Sequence, residues 1–139
     1  MRRFLPAAAA AVCLGLAWGA APAKADYTPI SGTVYIGLPY DYYQYTGYID
    51  DATGQFTVTG TMVYRGQEYA VSADGLVRAS GLKTPKKRYV ATGSAYEPGL
   101  GAIPVSDAYG STRDQAVLAF VHNVVTGVIV ELMYPTPVQ

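Results

Sequence analysis

From Gln55 to Tyr64 the chain alternates, with Phe56, Val58, Gly60, Met62 and Tyr64 on one parity and Gln55, Thr57, Thr59, Thr61 and Val63 on the other. A period of two in a β-branched stretch specifies a strand with one dry face and one wet face. Turn chemistry precedes it. Asp50-Asp51-Ala52-Thr53-Gly54 supplies an Asp that can accept backbone N–H groups and a Gly suited to the left-handed closing position. With Asp51 to Gly54 as the loop, Asp50 meets Gln55. Ile49 then lies opposite Phe56, Gly47 opposite Val58, Tyr45 opposite Gly60 and Tyr43 opposite Met62. Tyr45 is expected to cover the gap left by Gly60.

On the other side of this strand, Arg65-Gly66 suits a two-residue hairpin loop. Arg65 at positive φ costs about 1–2 kcal/mol. The loop pairs Met62 with Tyr69, Gly60 with Val71 and Val58 with Ala73. Both hairpins put the same residues of the central strand on the apolar face, and a slip of one residue would destroy that agreement. The meander Tyr42 to Ala73 is thus the framework of the fold. Its opposite face collects Tyr42, Gln44, Thr46, Tyr48, Thr57, Thr59, Thr61 and Ser72, with only Val63 and Glu68 departing from the pattern. Antiparallel sheets commonly turn such a face to water. A polar, nearly uncharged surface flanked by tyrosines also suits a glycan or another protein.

The first 25 residues read as a leader rather than as part of the domain. Arg2 and Arg3 precede an Ala/Leu/Val-rich run, and Ala23-Lys24-Ala25 has the small-x-small form of a cleavage site. Export to the periplasm or beyond follows, with no further membrane span after cleavage. The lone Cys13 and Trp18 leave with this segment, while all 13 tyrosines stay. Losing Arg2, Arg3 and Lys24 from a chain of ten basic and ten acidic side chains leaves a mildly acidic protein. Nucleic acid, which calls for a basic field, is not an expected partner. Without cysteine, an exported chain of this size must hold together by its core alone.

Residues 26–139 are read as a single β-rich domain. Thr33-Val34-Tyr35-Ile36 is a short strand closed by Gly37 and Pro39. Asp74-Gly75 reads as a turn before a short strand at Leu76-Val77-Arg78. Lys83, Lys86, Lys87 and Arg88 form a basic stretch around Pro85, a solvated loop that could also hold an anionic group. Tyr89 to Thr92 is a strand. Residues 93–110, punctuated by Pro98, Gly99, Gly101, Pro104 and Gly110, read as a long loop. Pro135-Thr136-Pro137 begins a short tail over 135–139.

Two readings compete for Gln115 to Tyr134. A hairpin turning at Asn123 to Gly127 pairs Val121 with Val130, Ala119 with Leu132 and Val117 with Tyr134, but strands Val124 and Val125 at its tip. A helix near 112–125 uses Thr112-x-x-Gln115 as a capping box and puts Val117, Phe120, Val121, Val124 and Val125 at helical spacing. The hairpin is preferred because Asn123 to Gly127 repeats the turn chemistry of Asp50 to Gly54 and both faces of the paired run are apolar, as in strands buried on both sides, while each helical valine costs about a few tenths of a kcal/mol. The expected fold is therefore all-β, a small antiparallel sandwich or barrel on the Tyr42–Ala73 meander, with α+β as the alternative.

Chemistry is sparse. One histidine, His122, and no retained cysteine exclude multi-His and thiolate metal sites. No nucleophile elbow, phosphate loop or dinucleotide fingerprint occurs, and no cofactor or metal is expected. The reading is a non-catalytic binding or interaction module of the periplasm or cell surface. Its site would be Tyr42, Tyr48, Thr57 and Thr59, joined by Lys86, Lys87 and Arg88, with cell-envelope glycan or another exported protein as partner. The alternative is a small secreted hydrolase using Glu97 or Asp107 as acid or base, with His122 nearby.

Overall fold

The computed structural model describes residues 26–134. The leader expected at 1–25 and the tail expected at 135–139 lie outside the described residues. The described residues form seven strands and then one α-helix: β1 (Tyr27–Ile36), β2 (Leu38–Asp50), β3 (Gln55–Tyr64), β4 (Gln67–Ala79), β5 (Tyr89–Glu97), β6 (Gly101–Ile103), β7 (Ala108–Gly110) and α1 (Arg113–Met133). Strands β1 to β5 pair in sequence order, and β6 and β7 share the far edge of β5, all antiparallel. The sheet is open. Its helix touches β1 at one edge and β5, β6 and β7 at the other, so the sheet curls over α1.

The meander has the register that its alternation dictates. Ile49 faces Phe56, Gly47 faces Val58, Tyr45 faces Gly60 and Tyr43 faces Met62. Met62 faces Tyr69, Gly60 faces Val71 and Val58 faces Ala73. Gly54 closes the first turn at φ 81°, and the Asp50 carboxylate accepts from the Ala52 N–H at 2.9 Å. Arg65 and Gly66 have φ of 51° and 80°, the pair of positive values that a tight hairpin needs. Buried Asp41 steadies that turn by accepting from the Arg65 N–H at 3.0 Å. Tyr45 pairs with Gly60 on one side and Gly32 on the other, and its hydroxyl reaches to Gly32 on β1, where a Cβ would come within 2.8 Å of it.

Several expectations are corrected. β1 begins six residues earlier than Thr33, because Thr28, Ile30, Gly32 and Val34 continue the inward parity beside β2. Asp74-Gly75 is no turn: β4 runs straight through it. Gly75 lies between Phe56 and Gly93 on the inner face, and a Cβ on it would stand 2.0 Å from the Thr92 carbonyl oxygen and 2.9 Å from the Phe56 ring. The glycine is there for close approach of strand and ring, not for chain reversal. The long loop expected over 93–110 holds the end of β5 and the short strands β6 and β7, which the glycines and prolines punctuate without abolishing.

The largest correction is at the C-terminus. The hairpin over Gln115 to Tyr134 does not form, and the helix alternative does, extended to Met133. Its buried residues Ala116, Val117, Phe120, Val121, Val124, Val125 and Val128 make one stripe. Magnitude decides the outcome. Burying a valine contributes about 1.5–3 kcal/mol, several times the propensity cost of holding it in a helix. The hairpin would have left Val124 and Val125 in water. Thr112 caps the helix by accepting from the Gln115 N–H at 3.1 Å. The Gly127 expected at a turn is helical and lets the chain pass close by, since a Cβ there would sit 2.8 Å from the Pro104 carbonyl oxygen. The second layer is thus a helix, and the α+β form of the expected antiparallel fold is the one adopted.

Sheet and helix meet around Phe56 and Phe120, whose rings pack edge to face with centroids 5.3 Å apart. Deeper toward β1 lies Tyr43, fully buried, stacked on Tyr45 and donating its hydroxyl to the Val71 carbonyl at 2.8 Å. Burial, and then the neighbouring Tyr45, push the Tyr43 phenol well above its usual 10.0. The neutral form is therefore favoured in the folded state. Stability from this group is complete below the unfolded value and is lost as pH rises above it. Melting should accordingly fall steeply above about pH 10. Tyr43→Phe should lose about 1 kcal/mol at neutral pH and show a shallower alkaline decline in a pH series of thermal melts. An equal alkaline decline in the variant would exclude Tyr43 as its source.

Candidate functional site

The outward parity of β1 to β5 builds one continuous surface from residues that the inward pattern leaves over. β1 presents Tyr27, Pro29, Ser31, Thr33 and Tyr35, and β2 presents Tyr42, Gln44, Thr46 and Tyr48. β3 adds Thr57, Thr59 and Thr61, β4 adds Ser72, Asp74 and Leu76, and β5 adds Thr92, Ser94 and Tyr96. Cross-strand pairing sorts them into rows. One runs Pro29, Tyr48, Thr57, Asp74, Ser94, and the next runs Ser31, Thr46, Thr59, Ser72, Tyr96.

Four of the expected binding residues share this face, and three of them, Tyr48, Thr57 and Thr59, are close neighbours. Tyr48 pairs directly with Thr57, and Thr59 with Thr46 beside it. Tyr42 lies six residues along β2 and lines a depression of about 290 Å³ with Thr33, Tyr35 and Gln44. Tyr48 is 44% exposed, yet its ring is held by Tyr27, edge-on at 4.8 Å. Burial, and then Asp50 and Tyr48, raise the Tyr27 phenol, which is neutral at ordinary pH. A second, shallow trough of about 590 Å³ lies over Gln55, Thr57, Asp74, Leu76 and Thr92, with Phe56, Gly75 and Gly93 beneath.

The basic residues stand apart. Lys86 and Lys87 lie in a 3₁₀ turn (Pro85–Lys87) and Arg88 follows it, in the connection between β4 and β5. That connection folds on itself: the Ser80 N–H donates to the Arg88 carbonyl at 2.9 Å, and the Ser80 hydroxyl bonds the Lys87 carbonyl. The Lys87 ammonium lies 5.4 Å from the Tyr109 ring centroid, at the β7 edge. Strands β3, β4 and β5 separate it from Tyr48, a gap of four strand spacings, or roughly 19 Å.

The carboxylates considered for catalysis are dispersed. Glu97 is buried at the turn into β6, where its carboxylate accepts from the Leu100 N–H at 2.7 Å. Asp107 is exposed ahead of β7, and Asn123 ties that segment to the helix by donating to the Ser106 and Asp107 carbonyls at 3.0 and 3.4 Å. His122, exposed, immediately precedes Asn123 on α1. Pro104 already lies at Gly127, a helical turn further on, and Glu97 lies beyond it in the direction away from His122. The Asp50 and Asp51 side chains are engaged by the turn and by the Thr28 hydroxyl. Among the described residues, no three of His, Cys, Asp and Glu gather as metal ligands would. Arg113–Met133 has the length and composition of a membrane-crossing helix, but one whole stripe of it forms the core.

Sequence reasoning missed Tyr27, Tyr35, Asp74 and Tyr96 as parts of this surface. The signal for the first two was the alternation Tyr27, Pro29, Ser31, Thr33, Tyr35, which extends β1 outward from its recognised end. No family model, curated protein or solved structure matches this chain.

Proposed function

We propose that this protein is an exported, non-catalytic binding module whose contact surface is the outer face of the sheet around Tyr42, Tyr48, Thr57 and Thr59. One observation carries the reading. Tyr27, Tyr35 and Tyr48 are exposed and Tyr42 half-buried on paired strands in fixed rows, so that an aromatic platform is presented at little entropic cost on binding. Export is read from the N-terminal leader, and the partner is an envelope glycan or another exported protein. The basic residues Lys86, Lys87 and Arg88 are a separate patch, and the core reading of the site does without them.

The test uses protein recovered after export, with Asp26 as its first residue. Tyr42→Ala combined with Tyr48→Ala should abolish binding to cell-envelope glycan or to a periplasmic extract fraction, followed by amide chemical shifts. Both side chains lie on the wet face, so melting should move by only a few degrees, an effect of about 0.5 kcal/mol for each site. Binding that survives the double change would remove this face as the site.

A further inference from the structure

Asp74 is the residue of this sheet that the fold does not explain. Aspartate is among the poorest strand formers, and this one sits in the middle of β4, an interior strand, with its side chain outward. Its neighbour Gly75 is accounted for by the close approach of Thr92 and Phe56. Asp74 has no such reason. Among the described residues, its carboxylate makes no hydrogen bond or ion pair. A local choice that opposes the fold without a compensating contact marks a functional position more often than a structural one.

Its surroundings are specific. Thr57 and Ser94 are its direct cross-strand neighbours, and Ser72 and Leu76 flank it along β4. Tyr48 stands one strand beyond Thr57 in the same row, about 10 Å from Asp74 by two strand spacings. None of these neighbours is charged. The row therefore offers an aromatic ring, a hydroxyl and then a carboxylate in line across three strands, a span of about two sugar units.

We propose that Asp74, with Thr57 and Ser94, is the polar centre of a subsite for an uncharged glycan, and that Tyr48 supplies the stacking face. The inference rests on the binding reading above and names its ligand class. A carboxylate can accept from two adjacent sugar hydroxyls at once, through charge-assisted bonds stronger than neutral ones. The C–H face of the ring covers the phenol of Tyr48, which Tyr27 already holds in place. Charge selects against acidic polysaccharide and phospholipid, because Asp74 has no cation beside it to offset the repulsion. A metal ion would need several more oxygen ligands than one carboxylate. A single Lys or Arg from a protein partner would form an exposed ion pair, which contributes little and leaves the hydroxyl row unused.

The experiment titrates the exported protein with four neutral hexasaccharides (gluco-, manno-, malto- and chitohexaose) and with an alginate oligosaccharide as the acidic control. At least one neutral sugar should shift the amides of Thr57, Asp74 and Ser94, and the acidic one should not. Asp74→Asn should weaken that binding roughly ten- to hundredfold, with melting unchanged or raised. Wild-type affinity in Asp74→Asn would overturn the role of Asp74 while leaving the binding face intact. No shift with any neutral sugar would overturn the ligand class. If an exported protein then binds through Tyr42 and Tyr48, the broader reading still stands. Glycan binding that persists in the double tyrosine variant would sink both.

Discussion

In urea unfolding followed by circular dichroism, Phe120→Ala should lose about 3–5 kcal/mol. Phe120 is fully buried, and its ring meets Phe56 edge to face at the centre of the contact between helix and sheet. Truncation removes the transfer energy of the ring and leaves a cavity that the curled sheet can fill only by moving whole strands. Domains of this size have about 5–15 kcal/mol in total, so the variant should be partly unfolded at growth temperature. Leu118→Ala is the internal control. It lies on the exposed side of the same helix and should change stability by no more than about 0.5 kcal/mol. Equal losses at the two positions would mean that α1 does not pack by the stripe described.

Gly75→Ala sets two effects of opposite sign against each other. By propensity alone, alanine in place of a strand glycine should gain about 0.5–1 kcal/mol. By geometry, the new Cβ would stand 2.0 Å from the Thr92 carbonyl oxygen and 2.9 Å from the Phe56 ring, and neither partner is a free-ended side chain. The steric term should win, with a net loss of about 2–3 kcal/mol and a melting point lower by about 10 °C. Gly66→Ala provides the contrast. That position has open space but φ of 80°, so its cost of about 1–2 kcal/mol is conformational alone. A stabilised Gly75→Ala protein would show that β3, β4 and β5 do not approach as closely as the glycine implies.

The meander was legible in the sequence because two independent turn signals, Asp50 to Gly54 and Arg65-Gly66, imposed the same parity on β3. Where only one signal was present, the reading failed. Asp74-Gly75 carries the composition of a turn, and nothing local reveals that Gly75 is needed beneath Phe56, a contact made 19 residues away in sequence. The Gln115 to Tyr134 segment failed for a related reason. Its valines favour strands locally, and only the demand of the sheet for a cover tips them into a helix. The outer face was readable at β2 and β3, where the register was known, and not at β1 or β5, where it was not. Asp74 was hidden by the same turn misreading, so one error concealed both a strand and a surface residue.

Every strand in this sheet is bonded to one that lies near it in sequence, and the element that covers the core, α1, follows all seven strands along the chain. Hairpins of that kind zip up one after another, each across a short loop. Until α1 arrives, the growing sheet carries Tyr43, Phe56, Val58, Met62 and Val71 on a face open to solvent. A chain cut short before Gln115 would keep its strand pairing and its outward rows, yet expose that whole apolar surface. Docking of α1 is thus the step that hides the apolar face. Products that lack the helix should be sticky and quickly degraded, whereas a chain that carries it buries that face.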